Sequence, residues 1–137
     1  MSQFQLKDAK FIETKALSNG AGSVNSDGFD LGQMTARGAR LPEVEGKITA
    51  PALTTTQLPD SETMTYKVEH ADQSNYGDAV TLYDAVLVQT GASGEGAAAA
   101  SARYRIPSDC KRYVRIVATK TGTGDCSTVS LTHELVF

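Results

Sequence analysis

The sequence predicts an all-β protein, an antiparallel β-sandwich or jelly roll with about eight strands. Two observations favour this class. Several segments alternate apolar and polar residues with a period of two, which is typical of half-buried strands. Clusters of Gly, Pro, Asn, Asp and Ser separate these segments at short intervals, as turns do in sandwiches. Residues 71–79 are too rich in Asp, Gly and Asn for a helix, and 97–102 are too few.

We predict four strong strands and four weaker ones. The strong strands are 62–71, 81–89, 111–119 and 128–137, and the weaker ones are 10–17, 28–32, 44–50 and 100–106. Alternation is cleanest in ETMTYKVEHA and TVSLTHELVF, where His70 and His133 fall on the apolar faces. The segment TLYDAVLVQ is more continuously apolar, which is typical of a strand covered on both sides.

The chain has the length and composition of one globular domain. Its 137 residues are 40% hydrophobic and 21% charged, too apolar for a disordered chain and too polar for a membrane protein. We assign residues 11–137 to the sandwich and residues 1–10 to a polar N-terminal arm. The first residues contain no apolar signal-like region, so we expect the protein to fold in cytoplasm.

The two cysteines, Cys110 and Cys126, leave one possible disulfide. If 111–119 and 128–136 form a hairpin that turns near residues 121–124, the register places position 110 opposite about position 135, not 126. We therefore favour two reduced, partly buried thiols.

The glycines of QTGASGEGAAAASARYRIP, residues 89–107, raise the question of a phosphate-binding loop. Such a loop needs Gly-Lys-Ser/Thr between a strand and a helix. No such triplet follows Gly91, Gly94 or Gly96. We interpret the stretch as a flexible connector into an alanine strand, where small side chains allow another backbone, or another subunit, to come close.

Motifs that carry catalysis or bind metals are missing from the sequence. There is no His-x-His pair, no Cys-x-x-Cys pair and no GxSxG motif. We expect His70 and His133 to be core or interface residues with local partners. We also expect no enzyme activity, no metal and no cofactor.

Charge is distributed unevenly along the chain. Residues 103–120 contain six basic residues and one acidic residue, a local charge of +5 in a chain of net charge −3. Arg and Tyr alternate there as in single-strand nucleic-acid binders, but such modules are usually basic overall. We therefore favour pairing with acidic groups, within or between subunits, and expect neither a nucleic-acid partner nor a membrane partner.

Residues 89–137 resemble the C-terminal half of tailed-phage capsid cement (decoration) proteins. The matching stretches are QTGA at Gln89–Ala92, RIPSD at Arg105–Asp109, KRYVR at Lys111–Arg115 and LVF at Leu135–Phe137. Earlier segments fit more loosely; they are FIETKALSNGAGS, FDLGQ and LPDSETMTYKVEHAD.

The resemblance implies a jelly-roll protein that forms homotrimers on the outside of an icosahedral virion shell. There it bridges neighbouring capsomers of the major capsid protein and has no active site. We hypothesise that four basic side chains face the acidic middle of the next subunit; they are Arg103, Arg105, Arg112 and Arg115. We also hypothesise that Phe4, Leu6 and Phe11 anchor the arm on the shell.

An alternative function is a carbohydrate- or receptor-binding β-sandwich of a phage fibre. Such sites typically present exposed aromatic rings. The chain has no Trp and only 7% aromatic residues, which disfavours this alternative.

Overall fold

The computed structural model describes residues 11–33, 44–107 and 109–136, and in these ranges the protein is all-β, as predicted. The strands are β1 (Ile12–Ala16), β2 (Gly22–Asn25), β3 (Phe29–Asp30), β4 (Glu45–Ala50), β5 (Thr63–Ala71), β6 (Val80–Thr90), β7 (Ala100–Arg105), β8 (Tyr113–Lys120) and β9 (Ser130–Val136). A 3₁₀ turn, Leu31–Gln33, follows β3.

The strands form two antiparallel sheets that pack as a sandwich. One sheet has the order β1-β9-β4-β7, and the other has the order β2-β8-β5-β6 with β3 also paired to β8. The pairs are nested along the chain: β5 with β6, β4 with β7, β2 and β3 with β8, and β1 with β9. A double ribbon folded in this way is a jelly roll. Because β2 and β3 follow one another along the same edge of β8, the nine strands occupy eight positions.

Ser26 maintains the sheet where β2 gives way to β3. Its backbone N–H donates to the Ile116 carbonyl at 2.9 Å, and its Oγ accepts from the Ile116 N–H, also at 2.9 Å. The hydroxyl thus replaces a backbone carbonyl of the ladder, and both buried groups of Ile116 remain satisfied. The chain can kink at this point without a break in the hydrogen bonding of β8.

The predicted alternation is confirmed in β5, β8 and β9, whose inward side chains form much of the core. They are Met64, Tyr66 and Val68 in β5, Val114, Ile116 and Ala118 in β8, and Leu131, His133 and Leu135 in β9. At the end of β5 the phase changes, so that Ala71 is buried and His70 is only half-buried. His70 still finds a local partner, because its Nδ1 accepts from the Lys111 N–H at 3.1 Å.

Two expectations about β6 and β9 were wrong. The apolar strand β6 is not covered on both sides, because Val80 and Val88 are 47% and 49% exposed. It is also an edge strand whose only hydrogen-bonded strand neighbour in the described ranges is β5. The segments 111–119 and 128–136 do not form a hairpin, since β8 and β9 belong to different sheets. The connection between them therefore crosses from one sheet to the other.

Cys110 precedes β8 in the sequence, and Cys126 follows it. Both thiols are buried and neither forms a disulfide, as predicted, although an eight-residue strand and not a hairpin register separates them. Burial raises the pKa of the Cys126 thiol.

Gln89 is a buried polar residue that joins three parts of the chain. Its side-chain amide donates to the carbonyls of Pro51 and Ala98, at 2.8 and 3.0 Å, and its Oε1 accepts from the Tyr66 hydroxyl at 2.8 Å. These contacts fix the start of the connector 91–99 against the segment that follows β4. The Tyr66 hydroxyl is buried, so the loss of Gln89 would leave it unsatisfied, and the two part-buried carbonyls would lose their donor.

We expect Gln89→Ala to lower the free energy of unfolding by about 2–4 kcal/mol, because two carbonyls and one hydroxyl lose their partner together. Urea unfolding followed by circular dichroism measures the change. The matched control is Thr90→Ala at the exposed neighbouring position, where we expect a change within about 0.5 kcal/mol. Equal losses in the two variants would contradict the role given to Gln89.

Candidate functional site

The most chemically distinctive group is a buried carboxylate–imidazole–hydroxyl chain in the sandwich interior. His133 Nδ1 lies 2.8 Å from Glu13 Oε2, and His133 Nε2 lies 2.6 Å from the Tyr104 hydroxyl. The second oxygen of Glu13 accepts from the Gly28 N–H at 2.8 Å. The His133 side chain is fully buried, and its ring stacks between Phe29 and Tyr104.

Adjacent strands place these residues together. Glu13 of β1 is the register partner of His133 in β9, so both side chains project from the same face of the sheet. Tyr104 of β7 is opposite Gly46 of β4, and its ring occupies the space that a side chain at position 46 would need. A glycine in β4 therefore allows the tyrosine to lie across the sheet and reach His133.

The hydrogen bonds define the protonation state of the imidazole. Burial lowers the pKa of His133, although the adjacent Glu13 carboxylate opposes the shift. In the neutral ring, Nδ1–H donates to Glu13 and Nε2 accepts from the Tyr104 O–H, so every polar atom is satisfied. Burial also raises the pKa of Tyr104, which keeps its hydroxyl protonated as the donor.

The three groups are the types found in a nucleophile–base–carboxylate arrangement, but their surroundings differ from those of an active site. Catalysis requires a reacting atom to approach the hydroxyl and the imidazole, and here both rings are buried among core side chains. The chain Glu13–His133–Tyr104 therefore acts as an internal tie. It confirms that His133 is a core histidine with local partners.

The structure does not bring the four arginines of the predicted interface together. Arg103 and Arg105 are exposed on β7 of the four-stranded sheet, whereas Arg115 lies on β8 of the five-stranded sheet. Arg112 immediately precedes β8. The local charge of +5 in the sequence is thus divided between two sheets and does not form one surface.

Three of these arginines have acidic partners within the chain. Arg112 makes a bidentate pair with Asp30, at 2.7 and 2.9 Å, which fastens the end of β3 beside β8. Arg103 lies 3.3 Å from Glu45, and both side chains are exposed. Arg105 has no ion-pair partner among the described residues. Their role between subunits stays a prediction.

Arg115 has the most enclosed environment of the four. Its guanidinium donates twice to Glu69, at 3.0 and 2.8 Å, and lies over the Tyr76 ring at 4.3 Å from the centroid. Burial alone would raise the pKa of Glu69, but hydrogen bonds from Arg115 and Lys67 lower it. This group joins β5, β8 and the loop that contains Tyr76.

Lys120 is a basic residue whose location sequence reasoning missed. Its side chain is fully buried, and its ammonium donates to Glu62 at 3.1 Å and to the Thr121 carbonyl at 2.9 Å. In the alternating pattern Lys120 continues the inward face of Val114, Ile116 and Ala118. Its position in this alternating pattern was the one sign in the sequence that Lys120 is buried.

The predicted arm residues lie mostly outside the described part of the chain. Phe4 and Leu6 belong to residues 1–10, which the structure does not describe, and their role stays a prediction. Phe11 is a member of the core, with its ring edge-on to Phe29 at 6.1 Å between centroids. Phe11 therefore belongs to the sandwich and is not available as a surface anchor.

The glycine connector is held in place by hydrogen bonds. Ala92 N–H donates to the Gly96 carbonyl at 3.2 Å, and Gly94 N–H donates to Asp60 Oδ1 at 2.8 Å. The backbone of residues 58–59 packs against Gly91, and that of residues 53–54 packs against Gly96. Another part of the backbone therefore comes close at these two glycines, and the close approach of another subunit to the alanine strand that follows stays a prediction.

A shallow groove beside this connector is lined by small and apolar side chains, and its one charged residue is Glu95. A phosphate needs cationic or N–H donors, so the groove does not suit one. The described residues contain no group of three or more His, Cys, Asp or Glu side chains placed to hold a metal ion. They also contain no helix that is long and apolar enough to cross a bilayer.

We expect the protein to lose stability as the pH falls below about 6.5, the ordinary pKa of histidine. The pKa of His133 is lowered in the folded state, so the unfolded chain binds the proton first as the pH falls. The contribution of His133 to the free energy of unfolding is therefore fully present only above about pH 6.5. The slope for one proton is at most about 1.4 kcal/mol per pH unit. Urea midpoints between about pH 7.5 and 5 measure it.

Two variants identify the histidine that causes the slope. His133→Gln keeps one hydrogen-bond donor and one acceptor but does not titrate, so the stability of this variant should depend less on pH over this range. His70→Gln is the control, since the pKa of His70 is also lowered, by burial and by Lys111, but that residue is only half-buried. An unchanged slope in His133→Gln would show that the buried imidazole is not the titrating group.

Comparisons with known proteins give a likeness in structure alone. No family model matches the chain. No curated protein matches it. Among solved structures it is similar to a chain in "Structure of infectious bursal disease virus Gt strain", with a TM-score of 0.34 and 8% sequence identity. The similarity covers 92% of this chain and 28% of the viral chain, so this chain spans little more than a quarter of that neighbour.

Proposed function

We propose that this chain is a phage virion structural protein, a capsid cement (decoration) protein. It would bind the outer capsid surface as a homotrimer and stabilise the shell by bridging neighbouring capsomers of the major capsid protein. Its location would be the exterior of the virion, after synthesis in the host cytoplasm. It would need no cofactor and carry out no reaction.

The observation that carries the proposal is the cement-like sequence of residues 89–137, read together with where its residues lie. Gln89 is the buried amide that joins three segments, Ile106 of the RIPSD stretch is fully buried, and Leu135 is a core residue of β9. The Pro107 carbonyl accepts from the Cys110 N–H at 3.0 Å, which forms the turn into β8. The resemblance therefore rests on residues that determine the fold.

The placement of the polar groups also supports a structural role. His133, Glu13 and Lys120, the groups best suited to catalysis by type, are engaged in buried hydrogen bonds. Every described Tyr and Phe side chain is buried or half-buried, so none is laid open as a stacking surface for a sugar. The outer faces of the two sheets remain as the surfaces on which another protein can pack.

A cement protein of this size gains strength from repetition. A standard specific protein interface buries about 1,600 Å² in total, and three copies held in a closed ring bind with avidity greater than that of one site. Individual contacts can then be modest while the bound trimer dissociates slowly.

The function is tested on shells of the same phage from which the cement layer has been stripped. We expect saturable cosedimentation of the chain with these shells and a higher temperature of shell disruption in light scattering, because bound copies add contact area across the joints. Fully decorated shells are the control and should take up none. A glycan array probed with the same protein tests the alternative. Saturable sugar binding without shell binding would favour the fibre module.

Deletion of residues 1–10 tests the arm. If Phe4 and Leu6 contact the shell, the truncated protein should bind stripped shells more weakly while its own mass in solution is unchanged. The matched control is the full chain with Gln3 and Gln5 replaced by Ala, which keeps the length and both apolar side chains. Unchanged shell affinity after truncation would contradict the arm hypothesis and leave the cement function standing.

A further inference from the structure

Strand β6 is more apolar than its position in the fold explains. It has eleven residues, VTLYDAVLVQT, with Asp84 as the single charge. Such a composition is typical of a strand covered on both sides, yet β6 lies at the edge of its sheet. Val80 and Val88 are 47% and 49% exposed and, with Ile12 at 45%, are the exposed large hydrophobic residues of the described chain.

We call the exposed side chains of this strand the β6 surface; they are Val80, Thr81, Asp84, Ala85, Val88 and Thr90. The other apolar side chains of the strand are accounted for, because Leu82, Tyr83, Val86 and Leu87 are partly buried and pack against the core. An exposed apolar edge strand is a site of association unless something covers it. The β6 surface therefore lacks a cover among the described residues.

The geometry of the edge limits how a partner can bind. The register between β5 and β6 shifts between Tyr66 and Val68 and again between Val68 and Glu69. Bulges of this kind interrupt the row of free backbone groups that an added strand would need. On the far side of β6, the Tyr83 hydroxyl donates to the Arg105 carbonyl at 2.7 Å, so β7 lies beside this part of the edge. A partner must then pack through side chains.

The charges beside β6 indicate which partner fits. Asp84 and Arg105 are both exposed, and neither has an ion-pair partner in the described ranges. The hydrogen bond from Tyr83, the neighbour of Asp84, to the Arg105 carbonyl places the backbone segments that carry these two charges next to each other. The other three interface arginines already have carboxylate partners within the chain.

We propose that the β6 surface, together with Arg105, is the contact between copies of this chain. In an assembly with closed rotational symmetry, every contact joins two copies of the same molecule, so the contacting surface must be complementary to another copy. A surface with an apolar strand and one unpaired charge of each sign can do so: Asp84 of one copy faces Arg105 of the next, and the valines pack beside them. This inference rests on the proposed function, which takes the chain to be a homotrimer.

The first test compares Val88 on β6 with Ile12 on β1, two edge-strand residues that are exposed to a similar degree. Val88→Asp should weaken self-association by at least about tenfold, because it places an uncompensated charge in an apolar contact. Ile12→Asp is the matched control on β1, at the opposite end of the other sheet, and should keep the wild-type mass. Sedimentation velocity over a dilution series measures both, and circular dichroism checks that both are folded.

The second test uses charge and leaves the apolar residues unchanged. Asp84→Arg and Arg105→Asp each bring like charges together and should reduce the fraction of oligomer. Mixing the two single variants should restore part of the oligomer population as mixed species, detected by native mass spectrometry, since two of the three contacts in a mixed trimer then join opposite charges and one still joins like charges. A contact within one chain could not be repaired by mixing.

The outcomes separate this inference from the function on which it rests. A wild-type protein that stays monomeric at every concentration overturns the inference, and so does an oligomer that survives Val88→Asp or dissociates equally with Ile12→Asp. If Val88→Asp keeps the oligomer but loses stripped-shell binding, the β6 surface faces the shell, and the cement function stands while the inference fails. If wild-type oligomers form but do not bind shells, the function fails and the contact stands.

Discussion

The two sheets are tied together by the carboxylate of Glu13. One oxygen accepts from the Gly28 N–H, between β2 and β3 of the five-stranded sheet, and the other meets His133 in the four-stranded sheet. His133 passes the connection to Tyr104 on β7. A buried charge is costly unless it is paired and hydrogen-bonded. The fold meets that requirement only when both sheets and the kink at Ser26–Gly28 are in place, so the tie favours one arrangement of the strands.

The same contact joins distant parts of the chain. Glu13 and His133 are 120 residues apart and sit in the outermost of the nested pairs, β1 with β9. In a jelly roll the inner hairpin, β5 with β6, can form locally, whereas each further pair closes a longer loop at greater entropic cost. The buried polar tie therefore stabilises the pair that local sequence supports least, because the mostly polar strand β1, IETKA, would by itself specify the register poorly.

Local pattern predicted the strands whose side chains alternate and failed where pairing is decided by distant residues. The faces of β5, β8 and β9 followed from period two alone. Strand β2, Gly22–Asn25, was missed because Gly, Ser and Asn read as a turn, and it is a strand only because β8 lies beside it. The tie of Glu13 to His133 likewise had no local signal beyond a histidine on an apolar face. No sequence pattern reports which arginine meets which carboxylate.

The distribution of charges follows from this topology and bears on association. Because β7 and β8 enter different sheets, most of a basic run in sequence becomes separate ion pairs on the two sides of the sandwich, with Arg105 as the arginine that lacks an ion-pair partner in the described ranges. Neutralised pairs provide little long-range attraction, and exposed pairs contribute little binding energy. Recognition by this protein must then depend on contact area, which apolar surface supplies most effectively. That requirement points to β6, where the sheet ends in the most apolar strand of the fold.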